Sequence, residues 1–377
     1  MSEKKAEKQA VISRRQALRG IGGAALASSA GVGLASPALA NDARGESITW
    51  KMVTSWPKDL PGPGVSARRI AEAITTMSGG RLTVQLFAAG EIVPAFEVLD
   101  AVSSGTAQMG HSASLYWQGK MPAAAFFCTV PFGLLPHEHV AWIEQGGGQQ
   151  LWEELYAPFG VQPYMAGNTG PTMGGWFRKE IASPADLKGV KIRAVGMGGE
   201  VLRRLGAQAI SLPSSELYAG FQSGVVDAVE FLGPWTDSAL GFQRIGSHYY
   251  GPGVNKPNGT GEALINKKAL SALPEDLRAV VAAACRMEAD RALAEANQFN
   301  ATALAKLQET DGLHIAPFPV SVQEAYAVAA AEVMAEYAKS DAMSAKVFAS
   351  YEKARTLSSG WSDMSLAQNL GARALMP

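Results

Sequence analysis

Hydrophobic and polar positions along this chain follow two rhythms, and the clearest switching between them lies from Leu187 to Trp235. Val190–Val195 reads as a strand, followed by a Gly-rich turn and a helix with one apolar face. Ala209–Leu212 is a short strand, a second helix ends at Gly224, and Val225–Glu230 is a third strand. A βαβαβ run of this kind builds a parallel sheet, with ligands expected where its strands end.

The same rhythm occurs earlier in the chain. Ile48–Val53 is a strand, Val65–Ser78 an amphipathic helix closed by Gly79-Gly80, and Arg81–Phe87 an alternating strand. A helix around Ala95–Ser104 then leads into a short strand near Gln108–His111. Glu97 to His111 can be laid on Glu216 to Glu230 without a gap: in each, Glu opens a helix, Ser-Gly closes it, and a strand ends on a polar side chain. The chain is therefore expected to be α/β, with two lobes of like design and His111 and Glu230 at equivalent rims of a shared cleft.

Other segments complete the lobes. Tyr116-Trp117 to Phe132-Gly133 is aromatic and rich in Gly and Pro; Val140–Leu155 is helical; Val161–Met165 is a strand. Gly167-Asn168-Thr169-Gly170 crosses to the second lobe, where Trp176-Phe177-Arg178 continues as a strand and Ser183-Pro184-Ala185-Asp186 caps a turn. After Tyr249-Tyr250 comes a loop, Gly251–Gly259, then a strand, Ala263–Asn266. Leu273-Pro274 opens an Ala-rich helix to Gln308, long enough at ~1.5 Å per residue to brace both lobes. Helices Ser321–Ser340 and Ala342–Leu357 and a polar tail follow. The expected organisation is 47–166 for the first lobe, completed near 232–262, and 167–231 for the second, completed near 263–310. Residues 311–377 form a C-terminal helical segment.

Composition narrows the function. A 377-residue chain of formal net charge −1 with no basic block gives no footprint for nucleic acid or an anionic membrane. Residues 1–40 read as a cleaved export signal: Ser13-Arg14-Arg15-Gln16-Ala17-Leu18-Arg19 is a twin-arginine pattern, followed by a mild apolar stretch and the small-x-small site Ala38-Leu39-Ala40. No later stretch has 18 apolar residues in a row, so a soluble periplasmic product is expected. The two cysteines, Cys128 and Cys285, are expected as unpaired core thiols.

No catalytic set is legible. Gly196-Met197-Gly198-Gly199 lacks the third glycine of a dinucleotide loop and any following Gly-Lys-Ser/Thr; its glycines are expected to open a helix whose N–H groups can face an anion. His137-Glu138-His139 lacks helical zinc spacing and reads as a solvated loop. Arg193 is sharper. A guanidinium in a strand of Val, Ile and Ala needs a partner, either a ligand carboxylate held bidentately or an internal carboxylate such as Glu230. Glu230 itself suits a buried ion pair, the surface or a hard cation. Trp56, Tyr116, Trp117 and Trp235 are candidates for an apolar pocket wall.

Four stretches carry a family resemblance: GNTGPTMGGWFRKEI (Gly167–Ile181), LKGVKIRAVG (Leu187–Gly196), SSELYAGFQSGVVDAVEFLGP (Ser214–Pro234) and SLYWQGK (Ser114–Lys120). They resemble the extracytoplasmic solute receptors of tripartite ATP-independent periplasmic (TRAP) transporters, closest to the branch that binds 2-oxo acids and related monocarboxylates. The resemblance implies a two-lobed periplasmic binding protein fold, with a mainly parallel sheet in each lobe, a cleft between them and a long bracing helix. It implies closure on a small organic acid such as pyruvate, 2-oxobutyrate or lactate, and delivery to the TRAP membrane permease. Arg193 would hold the ligand carboxylate. A cation, sodium or calcium, would be shared between ligand and protein through Glu230, the Phe231 carbonyl and a side-chain oxygen at Thr172, where the branch often has the longer Gln. The implied ligand-binding set is Arg193, Thr172, Asn168, Tyr116, Trp56, Glu230 and Phe231. A homodimer through a C-terminal helix, here Ser340–Leu357, is also implied. The competing expectation is an exported two-domain enzyme of lyase type, with Arg193 as anion holder and Glu230 as base.

Overall fold

The structure, a computed structural model, describes residues 47–376; the expected export signal lies outside the described residues. In chain order the first four strands are β1 (Ile48–Thr54), β2 (Leu82–Phe87), β3 (Met109–Ser112) and β4 (Val161–Asn168). Five follow: β5 (Gly175–Phe177), β6 (Lys191–Arg193), β7 (Gln208–Ile210), β8 (Ala228–Val229) and β9 (His248–Gly251). The last two are β10 (Thr260–Asn266) and β11 (His314–Pro317). They form two sheets, ordered β2-β1-β3-β10-β4 and β11-β9-β5-β8-β6-β7.

The likeness between the halves survives in the topology. In the first sheet β1 runs parallel to both β2 and β3, and antiparallel β10 closes the triplet. In the second, β6 runs parallel to both β7 and β8, and antiparallel β5 closes it. Each triplet follows from a βαβαβ run whose helices carry the chain back so that the second and third strands flank the first, one on each side and parallel to it.

The return segments differ from expectation. Segment 232–262 was expected in the first lobe, yet β9 within it pairs with β5 and β11 in the second sheet. Segment 263–310 was expected in the second, yet β10, which runs to Asn266, sits between β3 and β4 in the first. Sheet membership is decided by partners about a hundred residues away, which local periodicity does not encode. β11 was not foreseen, because His314–Pro317 is short and mostly exposed.

Helix Glu275–Gln308 is the brace. Its buried stripe is Leu277, Val281, Ala284, Cys285, Glu288, Ala289, Ala292 and Ala296, mostly small side chains that let a helix lie close. It packs on β4 and on helix Pro63–Met77, and farther along on helix Pro234–Ala239. Arg69 pins it to the first lobe, donating to Glu288 at 2.6 Å and to Glu295 at 2.7 Å. Leu307, at its far end, joins the apolar cluster of the second lobe with Trp176, Phe221 and Tyr249.

Three local expectations are corrected. The stretch Val140–Leu155 is two helices, Pro136–Gln145 and Gly148–Tyr156, broken at Gly147, whose φ of 84° is left-handed. His137-Glu138-His139 is not a solvated loop: it lies in the first of these helices, where Glu138 accepts from the Leu135 N–H and buried His139 contacts the Phe126 carbonyl and the Thr260 hydroxyl. The expected polar tail is helical, with Ala342–Ser362 running on through a π turn to Gln368–Arg373. Leu357, Trp361, Met364 and Leu370 stand exposed along it. No helix among the described residues is long and apolar enough to cross a membrane. Cys128 and Cys285 are free and buried, as expected.

Candidate functional site

Between the two sheets lies a cleft of about 520 Å³, its mouth included, lined by Trp56, Tyr116, Thr172, Arg193, Phe231 and Lys256 among others. Both lobes contribute. Trp56 and Tyr116 follow β1 and β3 of the first, and Arg193 ends β6 of the second. Thr172 and Lys256 stand on the two crossings that join β4 to β5 and β9 to β10.

Arg193 is 1% exposed, and among the described residues no carboxylate pairs with it. Its Nε donates to the Leu212 carbonyl at 3.1 Å and Nη1 to the Glu230 carbonyl at 2.9 Å, so two backbone oxygens fix the plane of the fork. The remaining nitrogen, Nη2, is buried with no hydrogen-bond partner. The Phe231 ring packs on the guanidinium, its centroid 5.2 Å from Cζ. The internal pairing with the Glu230 carboxylate, which the sequence left open, is not formed; Arg193 uses the Glu230 backbone instead. A buried guanidinium with one unused nitrogen facing a cleft suits an incoming anion. Beside it, the charge of Arg193 opposes the upward push that burial gives the Tyr116 phenol.

The Glu230 carboxylate meets Lys256. Nζ of this buried lysine lies 3.4 Å from Glu230 Oε1 and donates to the Phe231 carbonyl at 2.5 Å. Burial lowers the lysine's pKa, while Glu230 opposes that shift. The Thr172 hydroxyl donates to the Lys256 carbonyl at 2.8 Å. The three oxygens expected around a cation are thus close together, but an ammonium is bonded to the Phe231 carbonyl and ion-paired with Glu230 Oε1, which has no hydrogen bond of its own among the described residues, and the third is spent on the lysine's backbone. Among the described residues no cluster of three or more His, Cys, Asp or Glu is placed to hold a metal. As arranged, with the positive Nζ already among its oxygens, this donor set does not fit a second cation at the same place.

Two expected residues do other work. His111 lies near the end of β3 as Glu230 follows β8, but both of its ring nitrogens are spent inside the chain. It is buried, with Nδ1 accepting from Trp56 Nε1 at 2.8 Å and Nε2 against the Ala166 carbonyl at 3.0 Å. Burial drops its pKa to about 4, so it stays neutral and holds the Trp56 indole in the cleft wall. Asn168 lines an adjoining cavity with Ser66, His111 and Trp235. Its amide is engaged within the crossing, donating to Asn258 Oδ1 and accepting from the Gly170 N–H, both at 2.8 Å.

The glycines after β6 open a helix, as expected. Gly196 to Gly199 are the first turn of helix Gly196–Arg204, and a Cβ on Gly198 would meet the Asn255 side chain at 3.0 Å. They serve close packing against the Gly251–Gly259 loop. Lys256, in that loop, is the site residue that the sequence does not single out.

Residues 57–341 match the model of the bacterial extracellular solute-binding proteins, family 7. The chain belongs to this family. Family 7 is a family of transport-associated binding proteins, and two similar proteins of known structure carry its fold. One is a TRAP transporter solute-binding protein from Bordetella bronchiseptica, seen as a mixed-occupancy dimer with calcium and picolinate. It is 34% identical, with a TM-score of 0.85 over 88% of this chain and 99% of that one. The other, from Pseudoalteromonas atlantica, holds sodium and pyruvate; it is 36% identical, with a TM-score of 0.84 over 86% of this chain and 99% of that one. Among curated sequences, a monocarboxylate 2-oxoacid-binding periplasmic protein of Nostoc sp. is 39% identical over 83% of this chain and 86% of its own length.

Proposed function

We propose that this family 7 protein is a periplasmic receptor for a small 2-oxo monocarboxylate, closing its two lobes on the anion and presenting it to a TRAP membrane permease. The observation that carries the reading is Arg193 Nη2, buried at the cleft without a partner while the other two guanidinium nitrogens are tied to carbonyls. A carboxylate completes that fork. The apolar wall of Trp56, Tyr116 and Phe231 leaves room for a short chain and, once water is excluded, strengthens the ion pair. The relatives that hold pyruvate or picolinate support the ligand class. Closure is a hinge motion at the crossings that bear Thr172 and Lys256.

An enzymatic role gains no support from Glu230, whose carboxylate is turned to Lys256. The exposed apolar residues Leu357, Trp361, Met364 and Leu370 make this C-terminal helical run the segment on which a second copy packs. Calorimetry with pyruvate, 2-oxobutyrate and lactate tests the reading: a receptor binds at least one of them and releases it chemically unchanged. Recovery of a product, or no heat with any of the three, rejects it.

A further inference from the structure

We propose that the Lys256 ammonium replaces, in this chain, the metal cation expected beside the ligand, so that the receptor binds its 2-oxo acid without sodium or calcium. The inference rests on the receptor reading above and concerns how the same cleft balances charge.

Three observations converge on it. First, Nζ occupies the place that the family resemblance assigns to a cation: it donates to the Phe231 carbonyl at 2.5 Å and lies at ion-pair distance, 3.4 Å, from Glu230 Oε1, a buried oxygen that no hydrogen bond among the described residues satisfies. A metal ion on those oxygens would lie beside a second positive charge in a site shielded from water, where like charges repel strongly. Second, the remaining oxygen is the wrong one. Thr172 stands where a longer amide is common, and its hydroxyl donates its proton to the Lys256 carbonyl. The side chain that would have reached toward a metal instead holds the backbone of the residue that supplants it.

Third, the loop carrying the lysine is built to hold it there. The Lys256 N–H donates to the Gly253 carbonyl at 2.9 Å, and the Thr172 N–H donates to the Lys256 carbonyl at 3.3 Å. Gly253 lies so close to Thr172 that a Cβ would meet its hydroxyl oxygen at 2.3 Å. Asn255 seats on Gly198 and places Nδ2 3.5 Å from the other Glu230 oxygen. Lysine is 6% exposed here, far from its usual place in water, and it lines the same cleft as Arg193. Two fixed cations, one a planar fork and one a point charge, then face the ligand. The fork suits the carboxylate, and the ammonium suits the carboxylate edge together with the adjacent keto oxygen.

The test uses the whole protein purified without chelators. Elemental analysis is expected to find calcium well below one ion per chain. In sodium-free buffer with chelator, pyruvate or 2-oxobutyrate binds with a Kd within about twofold of that measured with calcium or sodium added. Lys256→Gln binds roughly 100-fold more weakly in the chelated buffer, and calcium restores much of the loss, because removing the ammonium frees Glu230 and the Phe231 carbonyl. Terbium luminescence, sensitised by Trp56, gives a readout independent of the acid: wild type stays dark and Lys256→Gln takes up the ion.

Wild-type binding that requires sodium or calcium, a calcium ion that copurifies one per chain, or equal terbium uptake by both proteins overturns the inference while leaving the receptor reading intact. Failure of every 2-oxo acid in both buffers rejects the receptor reading, and the terbium comparison still decides the role of the lysine. Should Lys256→Gln not fold, the ion-independence and metal content of wild type decide alone.

Discussion

Replacing Arg193 by methionine separates ligand holding from fold holding. The guanidinium makes two hydrogen bonds to carbonyls, at 3.1 and 2.9 Å, and leaves Nη2 without a partner among the described residues. Deleting one partner of a desolvated charge pair costs about 2–5 kcal/mol of binding. At ~1.36 kcal/mol per tenfold, that weakens pyruvate binding roughly 30- to 5,000-fold. Stability changes less. The carbonyls of Leu212 and Glu230 lose charged donors worth about 1.5–3 kcal/mol each, but the fold no longer buries a cation with an unpartnered nitrogen, and the opposing effects leave a shift of a few degrees. Arg193→Lys should fail almost as badly, because an ammonium cannot hold both carbonyls and present a fork. Calorimetry gives the Kd, and thermal melts with and without pyruvate give an independent measure; a ligand at about 100 times its Kd should stabilise wild type by ~2.7 kcal/mol and the variants by almost nothing. Binding by Arg193→Met within about threefold of wild type refutes the assignment. So does a fall of tens of degrees in its ligand-free midpoint, which would make the residue a structural clamp.

Four further expectations follow from the packing. Arg69→Ala leaves the buried Glu288 carboxylate without its cation and should lower unfolding free energy by about 3–5 kcal/mol in urea titrations; a change under ~1 kcal/mol would mean the brace does not depend on this clamp. Burial raises the Glu262 carboxyl to about 8, although Trp117 and Tyr156 both donate to it. Its folded pKa lies above the unfolded ~4.3, so its contribution is complete below that value and is lost as pH rises through 8; wild type should lose up to about 5 kcal/mol relative to Glu262→Gln across that window, and parallel pH profiles would contradict the shift. Gly253→Ala forces a Cβ against Thr172, and should weaken pyruvate binding about tenfold or more by displacing the lysine loop; unchanged calorimetric affinity would dissociate the loop from the site. Light scattering should find a dimer that becomes a monomer in the double variant Trp361→Glu, Leu370→Glu, both residues being exposed on the C-terminal helix; a monomeric wild type would remove that role.

Much of this site is legible in the amino-acid sequence because it breaks a pattern. Arg193 interrupts a run of apolar strand residues, and Glu230 ends another, so both stand out from their neighbours by residue type alone. The parallel triplets are legible because βαβ periodicity is local. What stays hidden depends on distant partners. Lys256 sits in a Gly- and Pro-rich loop, where lysine is ordinarily solvated, and its acidic partner lies in a different strand. Strands β9 and β10 exchange their expected sheets for the same reason. His139 resembles a surface residue until its helix packs against the Phe126 carbonyl and Thr260. Conversely, the apolar residues beyond Ser350 are diluted among Ser, Ala and Asn, and their exposure along one helical run becomes visible only once the helix is known to continue.

Outside the inner membrane a bacterium does not regulate dissolved salts as it does in its cytoplasm. A capture protein whose counterion arrives from the surroundings inherits the salinity of its habitat as a variable. One that carries the charge covalently on a side chain, as the lysine bridging Glu230 and Phe231 would allow, should keep the same grip on its nutrient in brackish, marine or nearly ion-free water.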